Sequence, residues 1–159
     1  MSSKSNLRVL LADDEHALAR GVQRVLMRIG HSNVTTVANG KAAFQELKKG
    51  SFDAAIIDLD FGDNDIDGLS VLLSVKRYNE RNPENPIKTQ IIVMSGSVDG
   101  QGLEEKLLDA GASMVLHKPL HAISIAAALD MIAETHEFSP AVNTSVGQLH
   151  LEPMTEPIR

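Results

Sequence analysis

The 159-residue sequence contains no cysteine, which excludes disulfide bonds and thiolate metal sites. It also has no tryptophan, one tyrosine and four phenylalanines, so its core must be aliphatic. No apolar run approaches the roughly 18 residues that a membrane span needs. The polar segment 1–6 lacks the apolar centre of a signal peptide. We therefore expect a cytoplasmic protein that makes no contact with the membrane.

The charge balance bounds the kind of partner. The net charge is −6, with 43% apolar and 23% charged residues, which is typical of a globular protein. A chain of this length is expected to form one domain with a substantial core. Because contacts to nucleic-acid phosphates require clustered lysine and arginine, we do not expect direct binding to nucleic acid.

Short apolar runs alternate five times with segments of helical periodicity. The predicted strands are Leu7–Ala12, Val34–Val37, Ala54–Ile57, Ile91–Met94 and Met114–Leu116. Continuously apolar strands indicate a parallel sheet that helices cover on both faces. With right-handed crossovers, the leading candidate is an α/β fold of the flavodoxin-like (βα)5 type, with five parallel strands in the order 2-1-3-4-5.

Two segments depart from this alternation. Residues Asn79–Lys88 form a polar, proline-containing stretch that we predict to be a loop before the fourth strand. Residues 137–159 hold three of the six prolines and show no helical period, so we predict a C-terminal tail or linker after a domain spanning 7–136. Within that tail, Val146–Leu151 could add one short strand.

Side chains that could bind a ligand or take part in a reaction follow four of the predicted strands. The carboxyl ends of parallel strands meet at one edge of the sheet, where ligands bind in such folds. Taken alone, Asp14 is more typical of a helix N-cap, since a helix begins directly after it. The strand-end residues are Asp13, Asp14, Asp58, Asp60, Ser95 and Lys118.

These side chains together favour phosphoryl chemistry. Carboxylates crowded at one edge repel one another, and a hard divalent cation such as Mg²⁺ relieves that repulsion. A carboxylate can also act as a nucleophile and form an aspartyl phosphate. Transfer then mainly needs positive charge near the phosphoryl oxygens, which Mg²⁺ and Lys118 can supply, and Ser95 can donate a hydrogen bond.

At this point the sequence resembles a known family, the receiver domains of two-component response regulators. The resemblance covers about residues 7 to 135, most of the chain. It rests on a set of short motifs that are specific only together: Asp13-Asp14, the strand Phe52–Asp58, Asp67-Gly68-Leu69, Met94-Ser95-Gly96, Gly111-Ala112 and Lys118-Pro119.

The resemblance implies a role for each strand-end residue. Asp58 would accept phosphate from a histidine kinase or phosphotransfer protein, and Ser95 would be the switch hydroxyl. Lys118 would contact the phosphoryl group, with a cis bond to Pro119. Mg²⁺ would be held by Asp14, Asp58 and the backbone carbonyl of Asp60, with Asp13 contributing through water.

The sequence departs from the family pattern in two places. The acidic segment from Asp58 to Gly68 is about two residues longer than usual, and alignment backward from Gly68 would make Asp60 the acceptor. We favour Asp58 because it directly ends the apolar strand, whereas Asp60 lies roughly 6.6 Å farther along an extended chain. In addition, Val115 stands where receivers often carry an aromatic residue.

Three functions remain open from the sequence. The first is a phosphorylation-controlled switch that catalyses only its own phosphorylation and dephosphorylation. It would signal by contact with an unidentified downstream protein or by forming a homodimer. The second is an adaptor that keeps the fold and acts without phosphate. The third is a phosphatase of the haloacid dehalogenase type, suggested by Asp58-Leu59-Asp60, although that family places its nucleophile on the first strand.

Overall fold

The structure is a computed structural model, and it describes residues 6–62, 66–96 and 102–146. Side chains of the last helix are described as far as residue 135. The remainder of the predicted tail, including most of the proposed strand Val146–Leu151, lies outside the described residues. None of the described helices is long and apolar enough to cross a membrane.

Five strands alternate with five helices along the chain, as the periodicity predicts. The strands are β1 (Arg8–Ala12), β2 (Asn33–Val37), β3 (Ala54–Asp58), β4 (Gln90–Ser95) and β5 (Met114–His117). The helices are α1 (His16–Arg28), α2 (Gly40–Lys48), α3 (Gly68–Arg81), α4 (Leu103–Asp109) and α5 (Ala122–Val146).

The strands form one parallel sheet in the order β2-β1-β3-β4-β5. This confirms the flavodoxin-like topology. The order reverses beside β1, so the carboxyl ends of β1 and β3 lie next to each other at the switch point. In register, Ala12 pairs with Ile57 and Asp58 pairs with Met94. Residues that directly follow these strands therefore meet at one edge.

Both faces of the sheet are buried, since alternate residues of each strand point to opposite sides. In β1, Leu10 packs with the cluster that covers the α2, α3 and α4 side, and Leu11 packs with the cluster on the α1 and α5 side. All five residues of β3 are buried, including its terminal Asp58. The aliphatic core therefore holds the end of β3 from both sides.

The loop predicted at Asn79–Lys88 begins later than expected, because α3 continues to Arg81. The Asn79 side chain accepts a hydrogen bond from the Ile87 backbone N–H at 2.7 Å and donates to the Ile87 carbonyl at 3.2 Å. This two-sided contact binds the returning chain to the end of α3. The contact of Asn79 with Ile87 cannot be predicted from the sequence alone.

Helix α5 also extends beyond the sequence prediction, and it reaches Val146. The segment after residue 136 has no apolar stripe, and Pro140 has no backbone N–H to donate. Elongation of a formed helix adds a hydrogen bond for each residue other than proline and needs no new nucleus. The helix can therefore continue where hydrophobic periodicity gives no signal.

Candidate functional site

Of the two aspartates that follow β1, the first is buried and the second is exposed to solvent. Asp13 is only 2% exposed, and its Oδ1 accepts a hydrogen bond from the Glu15 backbone N–H at 2.8 Å. Asp14 is exposed. The N-cap of α1 is Glu15, which makes no side-chain capping bond, so Asp14 does not cap the helix. Both carboxylates of the pair are therefore left at the sheet edge.

The end of β3 places Asp58 at the centre of the site. The residue is 4% exposed. Its Oδ2 lies 3.0 Å from Lys118 Nζ, and its Oδ1 accepts a hydrogen bond from the Asp60 backbone N–H at 3.2 Å. The two residues of the ion pair are 60 positions apart in sequence, and the parallel sheet brings them together.

The ends of β4 and β5 complete the edge. Ser95 is the last residue of β4 and is 1% exposed. Its carbonyl accepts a hydrogen bond from the Lys118 backbone N–H at 2.8 Å, which sets the start of the loop that carries the lysine. The Lys118–Pro119 peptide bond is cis, as the resemblance implies. Ser97, the next serine, lies outside the described residues.

The loop after β3 separates Asp58 from its competitor Asp60. Asp60 is exposed, and its own carboxylate accepts a hydrogen bond from the Gly62 backbone N–H at 2.9 Å. Farther along, Asp67 caps α3 by accepting a hydrogen bond from the Ser70 backbone N–H at 2.7 Å. Within the described residues, the lysine contact reaches Asp58 and not Asp60.

Three carboxylates converge at the edge. One oxygen from each of Asp13, Asp14 and Asp58 lies within 4.8 Å of the other two. Among the described residues, the buried Oδ2 of Asp13 has no hydrogen-bond partner. A buried and unpaired carboxylate oxygen is costly, so the site is incomplete without a positive or hydrogen-bonding ligand.

Burial and neighbouring charges shift the pKa values of Asp13 and Lys118. Burial raises the pKa of Asp13 to about 6; the hydrogen bond from Glu15 opposes this rise, and the nearby charge of Asp58 adds to it. Burial of Lys118 opposes its positive charge, yet the hydrogen bond and charge of Asp58 outweigh that effect and raise the pKa of the lysine. Lys118 therefore stays protonated beside the carboxylates.

The residues fit a hard divalent cation. Mg²⁺ prefers oxygen ligands and one or two carboxylates, and it usually retains several waters. The orphaned Asp13 Oδ2 and the exposed Asp14 carboxylate offer such oxygens at the sheet edge. The cluster could hold a cation between the ends of β1 and β3.

The raised pKa of Asp13 predicts a pH-dependent stability in the presence of a chelator. Between its ordinary value of 3.8 and about 6, the native state binds the Asp13 proton more tightly than the unfolded state does. The free energy of unfolding should therefore fall as pH rises through this window, by on the order of 1–3 kcal/mol from this group. Urea unfolding at roughly pH 4 and roughly pH 7.5, near the lower end of the window and above it, measures the change.

Asp13→Asn is the matched control for this measurement. The asparagine oxygen can still accept the Glu15 hydrogen bond but carries no charge, so the variant should lose less stability with rising pH. At the higher pH in chelator it should be more stable than wild type, and added Mg²⁺ should favour wild type. Parallel pH profiles for the two proteins would contradict the assignment.

Two contacts at the site gave no sequence signal. A Cβ built on Gly68 would lie 2.7 Å from the Asp58 carbonyl oxygen, so the start of α3 packs directly on the end of β3. His117 Nε2 lies 3.2 Å from Glu104 Oε1 and links β5 to α4, although both side chains are exposed. The hydrophobic pattern of the sequence predicts neither contact, because both depend on how the helices pack on the sheet.

The fold and the site together define a class of protein. This is a flavodoxin-like α/β domain whose switch-point edge carries an acidic cluster and a lysine. The chain belongs to the response regulator receiver domain family, whose family model matches residues 9–130. Receiver domains are signalling switches of two-component systems and are not conventional enzymes.

The chain is also similar to curated relatives. It is 27% identical over 149 residues to the transcriptional regulatory protein TcrA of Mycobacterium tuberculosis strain H37Rv. That match covers 94% of this chain and 54% of TcrA, so the chain spans about half the length of the curated relatives it matches.

Solved structures show the same fold. The receiver domain of the Francisella response regulator 1452 matches with a TM-score of 0.71 at 23% identity, covering 82% of this chain and 99% of that one. A chain of the Saccharomyces cerevisiae complex of the histidine phosphotransfer signalling protein Ypd1 with the receiver domain of its response regulator Ssk1 matches with a TM-score of 0.75 at 15% identity. The match covers 87% of this chain and 97% of that one.

Proposed function

We propose that this domain is a phosphoacceptor switch of a two-component phosphorelay, with Asp58 as the acceptor. The observation that carries the proposal is the position of the Asp58 carboxylate. It is buried at the rigid end of β3, paired with Lys118 at 3.0 Å, and clustered with Asp13 and Asp14. The proposed phosphoacceptor, the carboxylates that would bind a cation and the positive charge of Lys118 therefore lie together at the end of β3.

The proposed step is an in-line transfer. A carboxylate oxygen of Asp58 attacks the phosphorus of the donor and forms an acyl phosphate bond. The bond from phosphorus to the donor atom breaks, and the donor leaves with that electron pair. Lys118 supplies positive charge to the phosphoryl oxygens, and its raised pKa keeps that charge present at neutral pH.

Asp13, Asp14, Asp58 and the backbone carbonyl of Asp60 are the residues that would hold Mg²⁺. When bound, the ion supplies charge that offsets both the carboxylates and the incoming phosphoryl group. The orphaned Oδ2 of Asp13 supports this assignment, because it lacks a partner among the described residues. Asp13 also accepts the Glu15 hydrogen bond, which orients its carboxylate toward the edge.

The donor is proposed to be a histidine kinase or a histidine phosphotransfer protein. The family relationship supports this class, and the yeast neighbour was crystallised with a phosphotransfer protein. The output is proposed to pass through protein contact. A phosphoryl group of roughly −1.5 to −2 charges replaces the single charge of the Asp58 carboxylate beside Ser95 and Lys118, which can reposition the ends of β4 and β5. The recipient is a downstream protein or a second copy of the chain.

Val115 favours one alternative. It packs on the α4 side of the sheet in place of the aromatic residue that many receivers carry, so the coupling from Ser95 to the β5 surface differs here. A receiver-fold adaptor that binds its partner without phosphate is therefore the second candidate. The two candidates differ in whether Asp58 must be phosphorylated for binding.

Acetyl phosphate with Mg²⁺ tests the proposal directly. We expect the intact protein to gain the mass of one phosphoryl group, and we expect a chelator to prevent the gain. Size-exclusion chromatography of the same samples reports whether the modified protein dimerises. If the mass is unchanged at any donor concentration, the phosphoacceptor function is wrong and the adaptor remains.

A further inference from the structure

A cleft lies between α2 and α3, away from the acidic edge of the sheet. Phe44 and Lys48 of α2 face Arg77, Tyr78 and Arg81 of α3 across a space of about 360 Å³. The basic residues are near the carboxyl ends of the two helices. Since these helices run opposite to the strands, their carboxyl ends, and with them the basic end of the cleft, lie toward the edge of the sheet opposite Asp58. It is therefore separate from the phosphoacceptor site.

The cleft is positively charged in a protein of net charge −6. Lys48, Arg77 and Arg81 line it together with Ser74 and neutral side chains, and no carboxylate of the described residues lines it. Throughout the described part of the chain, no ion pair reaches any of these three cations. The cleft thus has unneutralised charge that an anionic ligand could complement.

The helix dipole explains only part of this charge. Cations in the last turn of a helix are favourable, and Lys48 and Arg81 occupy such positions. Arg77 lies one turn earlier, and like charges four residues apart on a helix are unfavourable by a few tenths of a kcal/mol. Arg77 and Arg81 therefore form a pair on one helical face that helix stability alone does not favour.

The wall of the cleft is aromatic. Phe44 and Tyr78 account for two of the five aromatic side chains of the protein, and their rings meet edge to face at 6.3 Å with an interplanar angle of 82°. Lys48 Nζ lies 5.0 Å from the centre of the Phe44 ring. Both residues are half-buried and line the cleft. An aromatic wall below a row of cations suits a ligand with both a planar body and an anionic group.

We propose that this cleft binds a phosphate ester with a planar ring, of the size of a mononucleotide. The guanidinium groups of Arg77 and Arg81 match phosphate oxygens in geometry as well as charge, since arginine can bind phosphate through two parallel hydrogen bonds. The ligand ring would lie parallel to one of the two aromatic rings and perpendicular to the other, because the rings of Phe44 and Tyr78 are themselves nearly perpendicular. The volume is within the range of small-ligand pockets, roughly 300–1,000 Å³.

Isothermal titration calorimetry in chelator tests this inference with a stated panel of probes. The panel is the four common ribonucleoside 5′-monophosphates, adenosine and inorganic phosphate. We expect at least one nucleotide to bind about tenfold tighter than both inorganic phosphate and adenosine, because only nucleotides engage the cations and the rings together. The chelator removes divalent cations that could bridge a phosphate to the acidic edge.

A charge-matched pair of double variants locates the site. Arg77→Gln with Arg81→Gln should weaken nucleotide binding by about tenfold or more. Lys76→Gln with Lys88→Gln removes the same total charge from exposed positions outside the cleft and should leave binding unchanged. Equal weakening by the two pairs would show a general charge effect and overturn the proposal. So would a panel in which no nucleotide binds more tightly than inorganic phosphate.

Discussion

Asp58→Asn is expected to abolish incorporation of a phosphoryl group from acetyl phosphate, whereas Asp60→Asn should retain it. An amide at position 58 has no anionic oxygen to attack phosphorus, and no other carboxylate of the described residues is placed as Asp58 is. Asp58 Oδ2 contacts Lys118 at 3.0 Å, whereas the exposed Asp60 carboxylate accepts a hydrogen bond from the Gly62 backbone N–H. Intact-protein mass spectrometry after identical exposure to donor and Mg²⁺ measures both variants.

Asp60→Asn is the matched control, since it removes the same charge two residues away. Its side chain can keep the hydrogen bond from Gly62, and its backbone carbonyl stays available to a cation. The loop should therefore keep its course, and phosphorylation should be reduced modestly at most. If Asp60→Asn loses the modification while Asp58→Asn keeps it, the alignment made backward from Gly68 is the correct one and the acceptor is Asp60.

The second large effect is expected for Gly68→Ala. A Cβ at this position would lie 2.7 Å from the Asp58 carbonyl oxygen and 2.9 Å from Leu59 Cα, and both are backbone atoms that cannot rotate away. Either α3 or the end of β3 must move, which costs about 1–3 kcal/mol in typical overpacked sites. Because the displaced backbone is that of Asp58, the rate of phosphorylation should fall as well.

Gly21→Ala controls for the change of glycine to alanine. Gly21 lies within α1, and no atom outside the helix backbone and the adjoining residues lies within 4 Å of the position that a Cβ would take there. This substitution should stabilise the protein by about 0.5–1 kcal/mol through helix propensity and should leave phosphorylation unaltered. Urea unfolding and the initial rate of acetyl phosphate modification report both quantities. An unchanged rate and stability for Gly68→Ala would show that the two elements are not closely packed.

The elements that the sequence predicts well are those that bury one regular face. The five strands appear within one residue of where their apolar runs place them, and a helix follows each strand, because a buried face must repeat with the period of its backbone. Helix ends are less predictable. The extension of α3 depends on Asn79 and its contact with Ile87, and the extension of α5 to Val146 carries no apolar stripe at all.

Some features of the candidate site can likewise be predicted from the sequence, and others cannot. Its membership follows from the sequence, since residues that end parallel strands must share one edge of the sheet. The sequence also favours Asp58 over Asp60, because Asp58 directly ends the apolar strand, but it does not reveal that Asp58 is the residue that contacts Lys118. Nor does the sequence reveal which member of the Asp13-Asp14 pair is buried, or that Asp13 Oδ2 lacks a partner among the described residues.

The sequence by itself therefore determined the α/β alternation and the set of residues at the acidic edge, and it made the strand order 2-1-3-4-5 the leading candidate. Local period and chain direction specify the first two, and the right-handedness of crossovers leaves few strand orders. Only the tertiary structure decided the pairing of Asp58 with Lys118, the close approach of Gly68 and the basic cleft beside Phe44. Each of these depends on distances between residues far apart in the chain, which packing of the helices on the sheet sets and no local pattern encodes.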